Sequence, residues 1–343
     1  MNRSFVSRLT HGVVNNPLVV LLVLMVVVVQ VVTGAQLNPA NLRGVFLDVS
    51  VIAIAAVPVA MLVIAGYMDL SVGSTLALGG VTAGITLRET GSPVLAIVMA
   101  VVAGALVGLV NAVLVTVVGL SSFITTLGML TAARGVAQLL APLPVSGFDV
   151  GFTALGIGAV AGVPVPAVIA VVLLLAAGAF LTLTPAGRHV YAIGVNREAA
   201  YLSGVAIRRI PFVLYLVSGS AAGLAGAITA ARLNSAPAGQ LGSGFELAVL
   251  TAVLLGGVAL TGGAGNMLGV LVGVLFMGML TNGLTLLGVP TFWQSVASGV
   301  ALILAIAISV GTQILRGRLV ARDAERLARQ AAAQTETAPT PTR

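Results

Sequence analysis

Long apolar runs follow one another along this chain, with only short polar connections between them. A membrane-spanning helix needs about 20 mostly apolar residues. Such runs fall at 17–35, 48–66, 70–87, 94–118, 122–141, 163–183, 211–231, 246–260, 266–287 and 292–312. The eighth is short and glycine-rich, and only GYMD separates the second from the third. The pattern predicts an all-α polytopic membrane protein of about ten transmembrane helices. Residues 1–312 read as one transmembrane domain with halves at about 1–150 and 151–312, followed by a cytoplasmic tail at 313–343.

Composition removes the competing classes. The chain is 59% hydrophobic and 7% charged, against about 25% charged in soluble domains. No soluble core hides that much apolar surface, so the expected solvent is lipid. Without cysteine there is no disulfide framework, no thiol nucleophile and no thiolate metal site. The net charge of +7 comes from arginine alone, since the chain holds no lysine. A phosphate-binding GxxxxGK[ST] loop needs its lysine, so any ATP driving this protein is bound by another chain. The arginines sit in short loops and aromatic residues make up 4%, which fits membrane orientation better than nucleic acid. No cofactor, metal or nucleic-acid partner is expected.

Arginine bias in short loops sets orientation. With a cytoplasmic N-terminus, Arg3, Arg8, Arg188, Arg197, Arg208 and Arg209 lie inside, with Arg316, Arg318, Arg322, Arg326, Arg329 and Arg343 of the tail. Arg43, Arg88 and Arg232 lie outside, twelve against three, and Arg134 falls within a run. Both termini are then cytoplasmic. The first run also has the outline of a signal peptide, ending in TGAQ, but its length suits a span and cleavage would spoil the arginine pattern. The tail alternates Arg with Asp323 and Glu325 and fades into TETAPTPTR, reading as a surface helix and then disorder.

The two halves repeat. DLSVGSTLALGGV (69–81) and ELAVLTAVLLGGV (246–258) match at six of thirteen positions, with Asp69 opposite Glu246. GLSSFITTL (119–127) likewise resembles GVPTFWQSV (288–296). In the ten-span topology the matched runs point in opposite directions, giving a 5+5 inverted repeat, whose interface in transporters tends to hold the permeation path. Asp69 and Glu246 would then sit near opposite membrane faces, each at a helix N-terminus. There they act as capping acids or line and gate the path.

One polar, basic island interrupts the apolar pattern at 184–211. NREAAYLSG within it is a good short helix. Asn196 is placed to cap it, Glu198 lies in its first turn and Gly204 ends it. Ala199, Ala200, Leu202 and Ser203 offer a small surface for docking into a groove on another protein. A solvated connector obeying the positive-inside rule fits equally well.

EAAYLSG (198–204) followed by Ile210-Pro211 resembles the EAA-x3-G…IxLP loop of ATP-binding-cassette (ABC) importer permeases. GYMDLSVGSTLALGG (66–80), SSFITTLGMLTAARGVAQLL (121–140), GRHVYAIGVNREAAYLSGV (187–205) and NGLTLLGV (282–289) resemble their ribose-type monosaccharide branch. So does the long 230–269 stretch containing GGVALTGGAG, and GYM stands where GGI is more usual. The resemblance implies a permease subunit of the bacterial inner membrane, working as a homodimer in lipid. It implies an ATPase on the cytoplasmic side and a sugar-binding protein outside. Asn196, Arg197, Glu198, Ala199, Ala200 and Gly204 would form the coupling element.

A neutral sugar needs hydroxyl and amide groups rather than a charged site. Candidates for the path or its gates are Asp69, Ser71, Ser74, Thr75, Asn111, Ser122, Phe123, Thr126, Asn282, Trp293 and Gln294, with Glu246. For each, helix–helix hydrogen bonding or packing competes. Arg134 is an intramembrane charge, functional by default or snorkelling to the outer face. Other substrates remain open: nucleosides, branched-chain amino acids or a signalling furanose. A stand-alone secondary transporter is a further alternative, opposed by the scarcity of ionisable groups inside the runs.

Overall fold

The computed structural model describes residues 17–290 and 292–307. Its apolar runs are helical: α1 Pro17–Thr33, α2 Pro39–Ile64, α3 Val72–Thr90, α4 Pro93–Ala112 and α5 Ser122–Leu140. A π-helical turn, Val113–Val118, extends α4. Strand β1 (Val145–Ser146), α6 (Val150–Ile157), β2 (Ala159–Val160) and β3 (Val163–Pro164) fill the mid-chain connection. Then come α7 Val165–Leu183, α8 Pro185–Val195, α9 Arg197–Leu202, α10 Arg209–Leu233, β4 Ser235–Ala236, α11 Phe245–Leu255 and α12 Met267–Leu286. A last apolar helix, α13, covers Phe292–Ala307. The tail reading, the first residues and the end of the tenth run lie outside the described residues.

The protein is a multi-pass membrane protein. Among the described residues, six helices are long and apolar enough to cross a bilayer: α2, α4 with its π turn, α5, α7, α10 and α12. α2 lies at the centre, with 89% of its apolar window buried, against 22% for α5. Lipid-sized side chains such as Val31, Leu139 and Leu175 stay exposed on α1, α5 and α7. Helix–helix contact in lipid depends on small residues that let backbones approach. On α4 and α10 the pairs Gly104–Gly219, Gly108–Tyr215 and Ala100–Gly223 meet at backbone distance, so these helices are antiparallel.

The eighth run is corrected. α11 has 11 residues, about 17 Å at 1.5 Å per residue, roughly half the hydrocarbon core. Gly257, at φ +83°, ends it where the matching Gly80 continues α3. The connection at 142–164 is ordered. Asp149 caps α6 by accepting from the Phe152 N–H at 2.7 Å, and β1 pairs with β4.

Candidate functional site

Contacts fix the directions of α3 and α11. Asp69 meets Ser218 and Leu76 meets Gly226, so α3 runs parallel to α10. α11 is antiparallel to α12 through Ala252–Gly273 and Gly256–Gly269. α12 is antiparallel to α2, because Asn282 bonds Asn41 and Gly263 N–H bonds Ile64 O. α10 also opposes α2, with Arg232 at Asp48. α3 and α11 therefore run in opposite senses. They start side by side: the Glu246 carboxylate and Gly242 O lie against the Cα of Gly73, four residues beyond Asp69. Asp69 and Glu246 are thus neighbours deep in the bundle, not groups at opposite faces. Ser218, the bonding partner of Asp69, stands ten residues into the 25-residue α10. Irregular backbone at such depth is tolerated where protein surrounds it, and the glycines at 73 and 242 let the two helix starts approach.

Asp69 organises a buried polar knot. Its Oδ1 accepts from the Ser71 N–H at 3.0 Å and the Ser71 hydroxyl at 2.6 Å, and its Oδ2 from the Ser218 hydroxyl at 2.7 Å. Asn111 Nδ2 donates to Ser71 Oγ at 2.9 Å, and Ser74 and Thr75 donate to Ser71 O. The cap position of α3 itself is Ser71, without a side-chain capping bond. Asp69 therefore ties the approach to the helix rather than capping it. Ser122 Oγ accepts from Met68 N–H at 3.3 Å, and buried Thr126 bonds back to Ser122 O. Glu246 lies in the first turn of α11 behind Gly244, and its Oε2 is buried without a hydrogen-bond partner. Arg134 does not snorkel. Its Nη1 turns inward to the carbonyls of Ala238 and Leu241, and its charge attracts Glu246.

The remaining candidates lie elsewhere. Phe123 and Trp293 are exposed on α5 and α13. Gln294 donates to Val289 O and Thr285 Oγ1. Asn282 exchanges hydrogen bonds with Asn41 at 3.0 and 2.8 Å and borders a cavity of about 450 Å³ with Asp48 and Arg232. Sequence reasoning passed over that pair because the two residues stand far apart in the chain.

The basic island is ordered. Thr184 caps α8 by accepting from Gly187 N–H at 2.9 Å, a helix that the sequence left as connection. Asn196 ends α8 and caps α9, its Oδ1 accepting from Ala199 N–H at 3.0 Å. Gly204, at φ +78°, closes the element. Glu198, Ala199, Leu202 and Ser203 face out, but Ala200 is turned inward and buried, which removes it from the expected docking surface. α8 rests on the 259–265 turn. Tyr191 donates to Gly265 O at 2.9 Å, and burial raises its phenol above the usual tyrosine range. At the end of α2 a side chain on Gly194 would collide with the Ile64 carbonyl and the Gly263 backbone, and one on Gly262 would crowd the backbones of Gly66 and Gly194. The Arg197 guanidinium lies 5.8 Å from the centroid of the Tyr67 ring, which meets Tyr215 edge-on at 6.3 Å. Tyr215 in turn donates to Met68 O at 2.8 Å, beside Asp69. Contacts thus run unbroken from α9 to the polar knot, through the tyrosine of the unusual GYM. A cavity of about 440 Å³ opens at this end, bordered by Tyr67, Ser122, Asn196 and Arg197.

Among the described residues, no three His, Cys, Asp or Glu side chains converge to hold a metal ion. What the arrangement offers is one cavity bordered by the start of the α9 element and another where Asp48 and Arg232 meet at the end of α10. Residues 41–306 match the family described as branched-chain amino acid transport system / permease component. The chain belongs to this permease family. The permease is 36% identical over 290 residues to the ribose import permease protein of Bacillus subtilis (strain 168), covering 84% of this chain and 90% of that one. It is 38% identical over 275 residues to the ribose import permease protein of Escherichia coli (strain K12), covering 78% and 85%. With the L-arabinose ABC transporter permease protein of Azospirillum brasilense it shares 38% over 273 residues, 79% and 80% of the two chains. No solved structure matches.

Proposed function

We propose that this protein is the transmembrane permease subunit of an ATP-binding-cassette importer for a monosaccharide of the ribose or arabinose kind, working as a homodimer in the bacterial inner membrane. The observation that carries this reading is the α8–α9 element, ordered, basic and outward-facing, yet fastened to the ends of α2 and the 259–265 turn. The sugar names of the similar permeases supply the substrate class. The arginine split supports a cytoplasmic α9 and cytoplasmic termini. Ten membrane segments form two inverted halves, with α3 and α11 as the equivalent helices that begin at mid-depth. A separate ATPase seats α9 in a cleft, and an external sugar-binding protein delivers substrate. Nucleotide-driven closure of two ATPases draws the paired α9 helices together. Their fastening to α2 and the α11–α12 turn then tips the permease between inward- and outward-open states, a two-state element biased by ligand. No covalent chemistry falls to this chain.

The test is reconstitution with the ATPase and binding protein in proteoliposomes. ATP-dependent accumulation of labelled ribose or arabinose against its gradient is expected. Accumulation without ATPase, driven by an ion gradient, contradicts the reading.

A further inference from the structure

The cavity between α2, α10, α11 and α12 is chemically distinct from the knot around Asp69. Its charges cancel: Arg232 Nη1 donates to Asp48 Oδ1 at 2.5 Å, and no other lining residue is charged. The pair is reachable, with side-chain exposures of 28% for Arg232 and 56% for Asp48. Around it stand the amides of Gln240 and Asn282 and the hydroxyls of Thr229 and Thr281, which donate to Ala225 O and Met277 O and keep lone pairs to accept. Phe245, Val51 and Ile52 give the cavity an apolar wall. Its volume of about 450 Å³ falls in the range of small-molecule pockets, about 300–1,000 Å³. Asn282 is already held by Asn41, and the 237–244 segment that carries Gln240 is held by Arg134, so the site is largely preformed.

We propose that this cavity binds one neutral polyhydroxylated ligand of monosaccharide size within each protomer, the Asp48–Arg232 pair engaging adjacent hydroxyls and Phe245 the C–H face of the ring. A carboxylate beside a guanidinium presents charge-assisted acceptors and donors in one plane, which suits neighbouring hydroxyls. A lone cation meets Arg232 and a lone anion meets Asp48, so either must break the pair. The site lies at the α10 C-terminal end, away from α9, where sugar arrives from outside. The inference rests on the permease reading and adds a substrate site to it.

The test measures ATP-driven import of labelled ribose, arabinose and leucine by the complete transporter in proteoliposomes. One variant combines Asp48→Asn with Arg232→Gln, removing both charges together. A second, Ser243→Trp, fills the cavity from the 237–244 segment and decides the matter alone if the first does not fold. Recovered permease and co-purified ATPase report folding. Wild type is expected to import a sugar. Each variant is expected to lose at least about tenfold in maximal rate, about 1.4 kcal/mol, at an unchanged half-saturating concentration, because the external binding protein sets the latter. Arg43→Gln, which removes only a bond to Ile157 O outside the cavity, is expected to import as wild type does. Wild-type import rates in both cavity variants overturn the cavity site and leave the permease reading standing. Import of leucine in place of a sugar also overturns it. If wild type imports none of the probes, the permease reading falls and the cavity site falls with it.

Discussion

Asp69 and Glu246 stand beside the starts of two helices that leave the same depth in opposite directions, yet their surroundings differ. Asp69 is 4% exposed with both oxygens occupied, by Ser71 and by Ser218. Glu246 keeps one buried oxygen without a partner, pressed against Gly73 and attracted by Arg134. Around Asp69, helices α3, α4 and α10 interlock at backbone distance. Around Glu246, the short α11 and the 237–244 segment border open volume. A carboxylate with both oxygens bonded loses those bonds by moving, while a buried oxygen without a partner loses nothing by taking a new one. The contrast marks α3–α4–α10 as scaffold and α11 with its preceding segment as the part free to rearrange.

The strongest way to break that contrast is at the scaffold. Gly219→Leu drives a side chain into the Gly104 and Gly108 backbone, and overpacking of this kind costs about 3 kcal/mol or more. No folded protein is expected by size-exclusion chromatography, and normal recovery would show that the α4–α10 contact is dispensable. Asp69→Leu comes next. It strands the Ser71 N–H and two hydroxyls, at about 1–3 kcal/mol for each unsatisfied group. A clear fall in melting temperature is expected, with Asn at 69 restoring most of it. At the seam where α3 meets the start of α11, Gly73→Ala pushes the Glu246 carboxylate and Gly242 aside. The permease is expected to fold yet transport about tenfold more slowly, about 1.4 kcal/mol; a loss of folding instead would place α11 in the scaffold. Glu246→Gln is the mildest change. With Oε2 already unpartnered, the melting temperature should reflect less than about 1 kcal/mol. A loss as large as that of Asp69→Leu would erase the distinction.

The helices were legible in the sequence where one physical requirement ruled alone. Apolar length announced them, and local capping by Asn196 and Gly204 announced α9. Its outward face was only partly legible, because which side of a six-residue helix turns inward depends on distant contacts, and these bury Ala200. α8 was hidden by the mixed character of PAGRHVYAIGV, whose Gly187 packs on the α7 backbone at Phe180–Leu181 and whose Gly194 packs on Ile64 and Gly263. The depth of Asp69 and Glu246 was misread because an acid beside an apolar run ordinarily marks the membrane surface. Here glycines admit irregular backbone into the interior, which no local pattern reveals. Asp48 and Arg232 escaped notice for a similar reason: 184 residues separate them, and only the packing of α2 against α10 joins them.

The account rests most heavily on α9 as the element through which ATP acts. Ala199 faces water on that helix, so Ala199→Arg leaves the fold alone while placing a charged bulk on the docking surface. The direct measurement is co-purification of the ATPase with this variant, beside ATP-driven sugar import in proteoliposomes. The account predicts normally inserted permease, loss of the ATPase and no import, since about 4 kcal/mol of clash and desolvation weakens association about a thousandfold. Retention of the ATPase together with wild-type import would contradict it and reduce the 184–211 segment to a connection between spans.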